Sequence, residues 1–331
     1  MLDNLVQKAR SIGASDLHLT AGSVPVARVL GVLRPLAGPT VSQGDLAAAA
    51  APLPAWVREQ LKRQGEADCA WTDSLGQRCR LNLFRQGGEY AAAIRLLNNT
   101  VPDCAALGVP DALCRQMEKR HGLILVTGPT GSGKSTTLAA LVQRLNRTRA
   151  LHIVTLEDPV EYCYEAGLSL IHQREVGRDT KSFASGLRSA LREDPDVILV
   201  GELRDAETIA IAVTAAETGH LVLATMHTGD ISSSVSRILE ALPQNQQQIR
   251  SQLAACLQAV ACQRLLPRAD GRGRVAAFEL LIATDALRAL IREGQIHQLP
   301  SYIQMGGRLG MLTMEESIRR LRQNGVIKAE E

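Results

Sequence analysis

The stretch Gly128–Thr137, GPTGSGKSTT, decides the reading of this chain. It matches G-x-x-x-x-G-K-[ST] through Gly128, Gly133, Lys134 and Ser135. Glycines let backbone N–H groups wrap a phosphate, a lysine reaches the β- and γ-oxygens, and the serine hydroxyl is a ligand for Mg²⁺. A chance match in a chain of this length is on the order of one per cent. The context also fits. HGLILVTG before the loop reads as a short buried strand, and KSTTLAALVQRLNRT after it reads as a helix. The candidate nucleotide-binding residues are therefore Gly128, Thr130, Gly131, Ser132, Gly133, Lys134, Ser135 and Thr136.

Working outward, HIVTLEDPVE, DVILVGEL and HLVLATMH supply three more aliphatic strands with helical stretches between them. Strand–helix alternation of this kind predicts a parallel sheet covered on both faces, an α/β fold. From about Ser232 the pattern reads as helical to the end. Hydrolysis needs an acidic residue near the metal and a group that orients water. Glu202 ends one predicted strand, and Glu157 and Asp158 end another, where Pro159 turns the chain. Gly201 stands where many nucleotidases carry Asp. His220 and His227 bracket LVLATM at a spacing unlike a zinc site, and either could sense a γ-phosphate or a subunit contact.

The first 98 or so residues read as a separate small α/β domain. An opening helix stops near Gly13. DLHLT alternates as a half-buried strand does, two short strands flank Gly31, and three antiparallel strands follow a proline-interrupted helical stretch. NNTVPD, residues 98–103, is turn-rich. The expected organisation is an N-terminal domain over 1–98, a linker over 99–112 and a nucleotide-binding domain over 113–331.

Composition narrows the classes further. The chain has 331 residues, 45% hydrophobic and 3% aromatic, so it can bury an aliphatic core. Net charge is +3, and the surplus lies in residues 1–98, with 11 Lys/Arg against 8 Asp/Glu; the rest is balanced at 26 each. Balanced charge and scarce aromatics argue against a nucleic-acid motor, which needs a basic groove with stacking rings. The seven cysteines form no CxxC pair, and all seven read as small buried hydrophobes in a reducing compartment. No apolar run approaches the ~20 residues that span a bilayer, and the N-terminus lacks the apolar core of a signal peptide. Membrane association is expected only through a partner.

ASDLHLTAG, GPTGSGKSTT, IVTLEDPVEY, ALREDPDVILVGELRD, AAETGHLVLATMHT and LPSYIQMGGRLGM stand in the order found in the type II/type IV secretion ATPases. The chain resembles their PilT branch, the twitching-motility retraction ATPases, over nearly its whole length. In that family these stretches include the Walker A loop, the Asp box, an atypical Walker B with Gly–Glu, and the His box. The resemblance implies a PAS-like N-terminal domain, a RecA-like C-terminal domain with a helical end, and a homo-hexameric ring that hydrolyses ATP to ADP and phosphate with Mg²⁺. It implies Glu157 as catalytic base, Glu202 and Ser135 at the metal, His227 in the His box, and Arg80 and Arg95 completing the nucleotide site within the set Arg78, Arg80, Asn82 and Arg95. It further implies a cytoplasmic location, peripheral at the inner membrane, on a pilus platform protein. No direct contact with nucleic acid is expected. Assembly, type II secretion and conjugation ATPases of the same family are the alternatives. The usual tetracysteine insert of the larger members is absent here. ALRALIREG, residues 286–294, resembles the retraction branch's Ala-Ile-Arg-Asn-Leu helix but departs at Leu287 and Ala289. Leu287, Leu290 and Ile291 share one face, which either packs into its own domain or couples hydrolysis to retraction. A coupling role predicts that Leu287→Ala with Leu290→Ala leaves a folded, hydrolysing oligomer that cannot retract a pilus, whereas a core role predicts early melting with loss of ATPase activity and motility together.

Overall fold

The computed structural model describes residues 1–97, 100–241 and 246–328. The chain divides into two compact units, Met1–Thr100 with Glu161–Cys163, and Val101–Val160 with Tyr164–Glu331. The boundary expected at residue 98, with Asn98 and Asn99 of the linker, lies outside the described residues.

In the first unit α1 (Leu2–Ser11), α2 (Gln43–Ala50) and α3 (Ala55–Gln64) accompany six strands. These are β1 (Ala14–Thr20), β2 (Val26–Val29), β3 (Val32–Pro35), β4 (Glu66–Thr72), β5 (Arg78–Gln86) and β6 (Glu89–Leu96). They form one antiparallel sheet in the order β3-β2-β1-β6-β5-β4. Period-2 alternation sorts β5: Cys79, Leu81 and Leu83 join the core while Arg78, Arg80 and Asn82 take the opposite face. Pro54 starts α3 and Gly65, at φ +82°, ends it. The helix α1 is tied to the sheet by Arg10, which donates to the carbonyls of Arg78 (2.7 Å) and Leu97 (2.8 Å) and lies 3.3 Å from the buried Asp73 carboxylate.

The second unit opens with α4 (Asp111–Gln116), β7 (Gly122–Thr127), α5 (Lys134–Thr148), β8 (His152–Glu157) and β9 (Leu170–Glu175). Then come α6 (Phe183–Ala190), β10 (Val197–Val200), α7 (Ala206–Glu217), β11 (Leu221–Met226), α8 (Ile231–Glu240) and α9 (Gln246–Cys256). The last elements are β12 (Leu257–Pro267), β13 (Arg274–Ile282), α10 (Asp285–Glu293), α11 (Leu299–Met305) and α12 (Met314–Gln323). The sheet order is β13-β12-β7-β11-β10-β8-β9, parallel throughout except for the antiparallel edge strand β13. Every residue of β7, β10 and β11 is buried, because helices cover both faces. Leu123, Leu125, Ile198 and Val222 enter one core, and Ile124, Val126, Leu199 and Leu223 the other.

Two expectations change here. The stretch from Ser232 onward is not helical throughout; it contains the long hairpin β12–β13. AVAC, residues 259–262, is a continuous apolar run buried on both faces, and such a run has no period-2 signature to separate it from a buried helix. Helices resume from Asp285. The cysteines are not all buried: Cys163 is exposed, whereas the other six are buried as small apolar groups. No described helix is long and apolar enough to cross a membrane.

Candidate functional site

Parallel pairing fixes where the chemistry collects. Thr127 at the end of β7 registers with Met226 of β11 and Cys262 of β12, and Val200 at the end of β10 registers with Leu156 of β8 and Ala224 of β11. Four strands therefore discharge their loops at one edge, the carboxyl edge, where open α/β sheets bind ligands. The phosphate loop leaves β7, Glu157 ends β8, Glu202 follows β10 and His227 follows β11.

The loop is shaped by glycine. Gly128, Gly131 and Gly133 have φ of +141°, +75° and +89°. These are values that a side chain resists. Lys134 is buried, and its Nζ donates to the carbonyls of Gly128 (2.8 Å) and Pro129 (3.0 Å). Ser135 is exposed in the first turn of α5, and Ser132 Oγ is buried with no hydrogen-bond partner among the described residues. A helix N-terminus, a held ammonium and an orphaned hydroxyl together suit a polyphosphate. Among the described residues no cluster of three or more His, Cys, Asp or Glu could hold a metal by itself. That donor set suits Mg²⁺, which takes one or two protein groups and completes its shell with phosphate and water. Ser135 and Glu202 would be the protein groups.

Glu157 is half-buried, and its Oε1 accepts from Thr155 Oγ1 (2.7 Å) and Gln173 Nε2 (3.1 Å). Glu202 is held from two sides, with Arg204 Nε at 2.8 Å and His227 Nε2 at 3.5 Å from its Oε2. The other ring nitrogen of His227 lies 3.3 Å from Thr130 Oγ1 in the phosphate loop. The carboxylate can only accept, so a proton on Nε2 would face Glu202, and in the neutral ring Nδ1 would then accept from Thr130. His227 thus links the loop to the second carboxylate. His220 does not share this place. It stands at the opposite end of β11, its Nδ1 3.1 Å from the Ala215 carbonyl, as a satisfied strand-end histidine.

Gly201 has a steric reason. A Cβ there would lie 3.0 Å from the Leu156 carbonyl and 3.4 Å from Glu157 Cα. The strand ends of β8 and β10 would crowd the Asp that many nucleotidases carry at this step. The Gly201 N–H uses that closeness, donating to Leu156 O at 2.7 Å.

In the first unit Arg80 and Arg95 stand directly opposite each other on β5 and β6. Carboxylates from the flanking strands offset the two like charges: Asp68 lies 3.4 Å from Arg80 Nε, and Asp16 3.1 Å from Arg95 Nε. Both arginines are substantially exposed. Reasoning from the motifs missed Thr155, Gln173 and Gln263, which hold the site residues from neighbouring positions. A lone polar residue in an apolar strand, as in VACQRLL, was the one available signal for Gln263.

A phosphate loop opening a helix, faced by carboxylates from two further strand ends of a parallel sheet, defines a P-loop nucleotidase on a RecA-like core, here with a separate N-terminal domain. A family model described as "Type II/IV secretion system protein" matches residues 80–325. The chain is 46% identical over 322 residues to the uncharacterized protein YggR of Escherichia coli K12, covering 96% of both. It is 44% identical over 320 residues to the type IV pilus retraction ATPase PilT of Pseudomonas aeruginosa PAO1, covering 96% of this chain and 93% of that one. The crystal structure of the pilus retraction motor PilT with bound ADP superposes with a TM-score of 0.92 at 43% identity, covering 99% of this chain and 95% of the other. The chain belongs to the type II/IV secretion system protein family.

Proposed function

We propose that this chain is the subunit of a homo-hexameric ATPase ring that powers type IV pilus retraction. The carrying observation is the assembly of Lys134, Glu157, Glu202 and His227 at one sheet edge in a chain that matches PilT over 96% of its length. ATP is the fuel and Mg²⁺ its counter-ion. Lys134 and the loop N–H groups hold the phosphates, Ser135 and Glu202 hold the metal, and Glu157 takes a proton from the attacking water. His227 reports the state of the phosphate loop to Glu202 through its two ring nitrogens. Arg80 and Arg95 complete the nucleotide site of the assembled ring and stabilise charge on the transferred phosphate. The ring works peripherally at the cytoplasmic face of the inner membrane, on the platform protein of a pilus machine. Retraction is preferred to type II secretion on the likeness to PilT, 44% identical over 320 residues.

Replacement of the chain by its Arg80→Ala variant tests this reading. The purified variant should bind ATP normally and hydrolyse it ~10³-fold more slowly, the scale of a transition-state arginine. Host cells carrying it should keep surface fibres and lose twitching. Wild-type hydrolysis by the variant overturns the arginine's role. Slow hydrolysis with normal twitching overturns the assignment to retraction.

A further inference from the structure

Gln263 lies in β12 beside the phosphate loop, and only 3% of it is exposed. Its Oε1 accepts from Thr137 Oγ1 at 2.7 Å, in the first turn of α5. Its main chain and amide nitrogen meet the two ends of the loop. A Cβ at Gly128 would lie 2.3 Å from the Gln263 carbonyl oxygen, and a Cβ at Gly133 would lie 2.9 Å from Gln263 Nε2. One residue therefore abuts the first glycine of the loop, its last glycine and the helix that follows. A buried amide in an otherwise apolar strand is costly unless its polar atoms are used. Here they face the loop. Gly128, facing a backbone carbonyl, is accordingly required on the protein side as well as the phosphate side, and Gly133 lies against the amide itself.

We propose that Gln263 is the positioning residue of the phosphate loop, setting the spacing between Gly128 and Gly133 at which Lys134 and the loop N–H groups receive phosphate. The proposal rests on the nucleotide-binding reading above. A merely structural Gln263–Thr137 bond would affect stability and leave affinity alone, and the two roles separate in a pair of variants. Gln263→Met keeps side-chain length and removes the amide. Gln263→Met with Thr137→Val also replaces the orphaned hydroxyl, and replacing both partners of a buried bond by apolar groups is close to neutral for stability.

The measurements are the Kd of a fluorescent ADP analogue with Mg²⁺, the KM and kcat for MgATP, and Tm. Gln263→Met should raise Kd and KM ~10-fold with a smaller change in kcat, on the reasoning that misplacing binding groups weakens ground-state affinity. The double variant should regain wild-type Tm while Kd stays raised. A Kd within twofold of wild type in either variant, or a Kd that recovers together with Tm, overturns the proposal. Should the single variant not fold, the Kd of the double variant decides. A wild-type chain that binds no nucleotide analogue overturns the nucleotide reading instead, and that outcome is distinguishable from the others.

Discussion

Glu202→Gln will leave nucleotide binding intact and lower ATP turnover by at least ~10²-fold, the scale of losing one electrostatic or acid–base group. Binding should survive because Lys134 is held by donating to the carbonyls of Gly128 and Pro129, and the loop shape comes from its glycines. Turnover should fall because the variant keeps the shape of the side chain and removes its charge. That charge is what Arg204 and His227 converge on, at 2.8 and 3.5 Å. The neutral amide also weakens the His227 link, so the loop and the second carboxylate lose their coupling. Equilibrium nucleotide binding and steady-state phosphate release check this together. Near-normal turnover in the variant rules out the role given to Glu202.

Leu287→Ala with Leu290→Ala will lower Tm by on the order of 10 °C or more and take ATPase activity and motility away together. This reverses the outcome expected from the motif. Leu287 and Ile291 are completely buried and Leu290 is 6% exposed, all within the core shared with β10 and β11. The helix is also pinned from its side, where Arg288 donates to the carbonyls of Ala254 and Ala255 at the end of α9. Each leucine truncation leaves a cavity costing ~2–5 kcal/mol. Their sum rivals the whole stability of an ordinary domain. Thermal unfolding beside an ATPase assay decides it, and a double variant with wild-type Tm contradicts the burial argument. The exposed residues of α10 are Asp285, Ala286, Arg292 and Glu293.

Much of the fold was legible because its signals are local. The glycine pattern, the aliphatic strands β7, β8, β10 and β11, and the alternation of β1 and β5 each lie within a few residues of sequence. The four strand ends could be paired with their carboxylates and histidine for the same reason. The hairpin β12–β13 was not legible, because an apolar run buried on both faces looks the same as a buried helix. The supports of the site were hidden by sequence distance: Gln263 meets Thr137 across 126 positions, and Gln173 meets Glu157 across 16. Gly201 shows the difference between noticing and explaining. Sequence marked it as unusual, and only the approach of the Leu156 carbonyl to 3.0 Å from an added Cβ gives the reason. His220 and His227 looked equivalent around one strand, yet strand direction sends only His227 to the phosphate loop.

The most direct test is the rate of phosphate release from MgATP by the purified wild-type chain and by Glu157→Gln, with nucleotide binding measured on the same samples. Glu157 is held by Thr155 and Gln173 at the strand end beside the loop, as a base that accepts a proton from water requires. The account predicts that the wild-type chain hydrolyses ATP and that the variant binds it equally well while turning over at least ~10²-fold more slowly. A wild-type chain that binds ATP without releasing phosphate, or a variant that matches the wild-type rate, contradicts it.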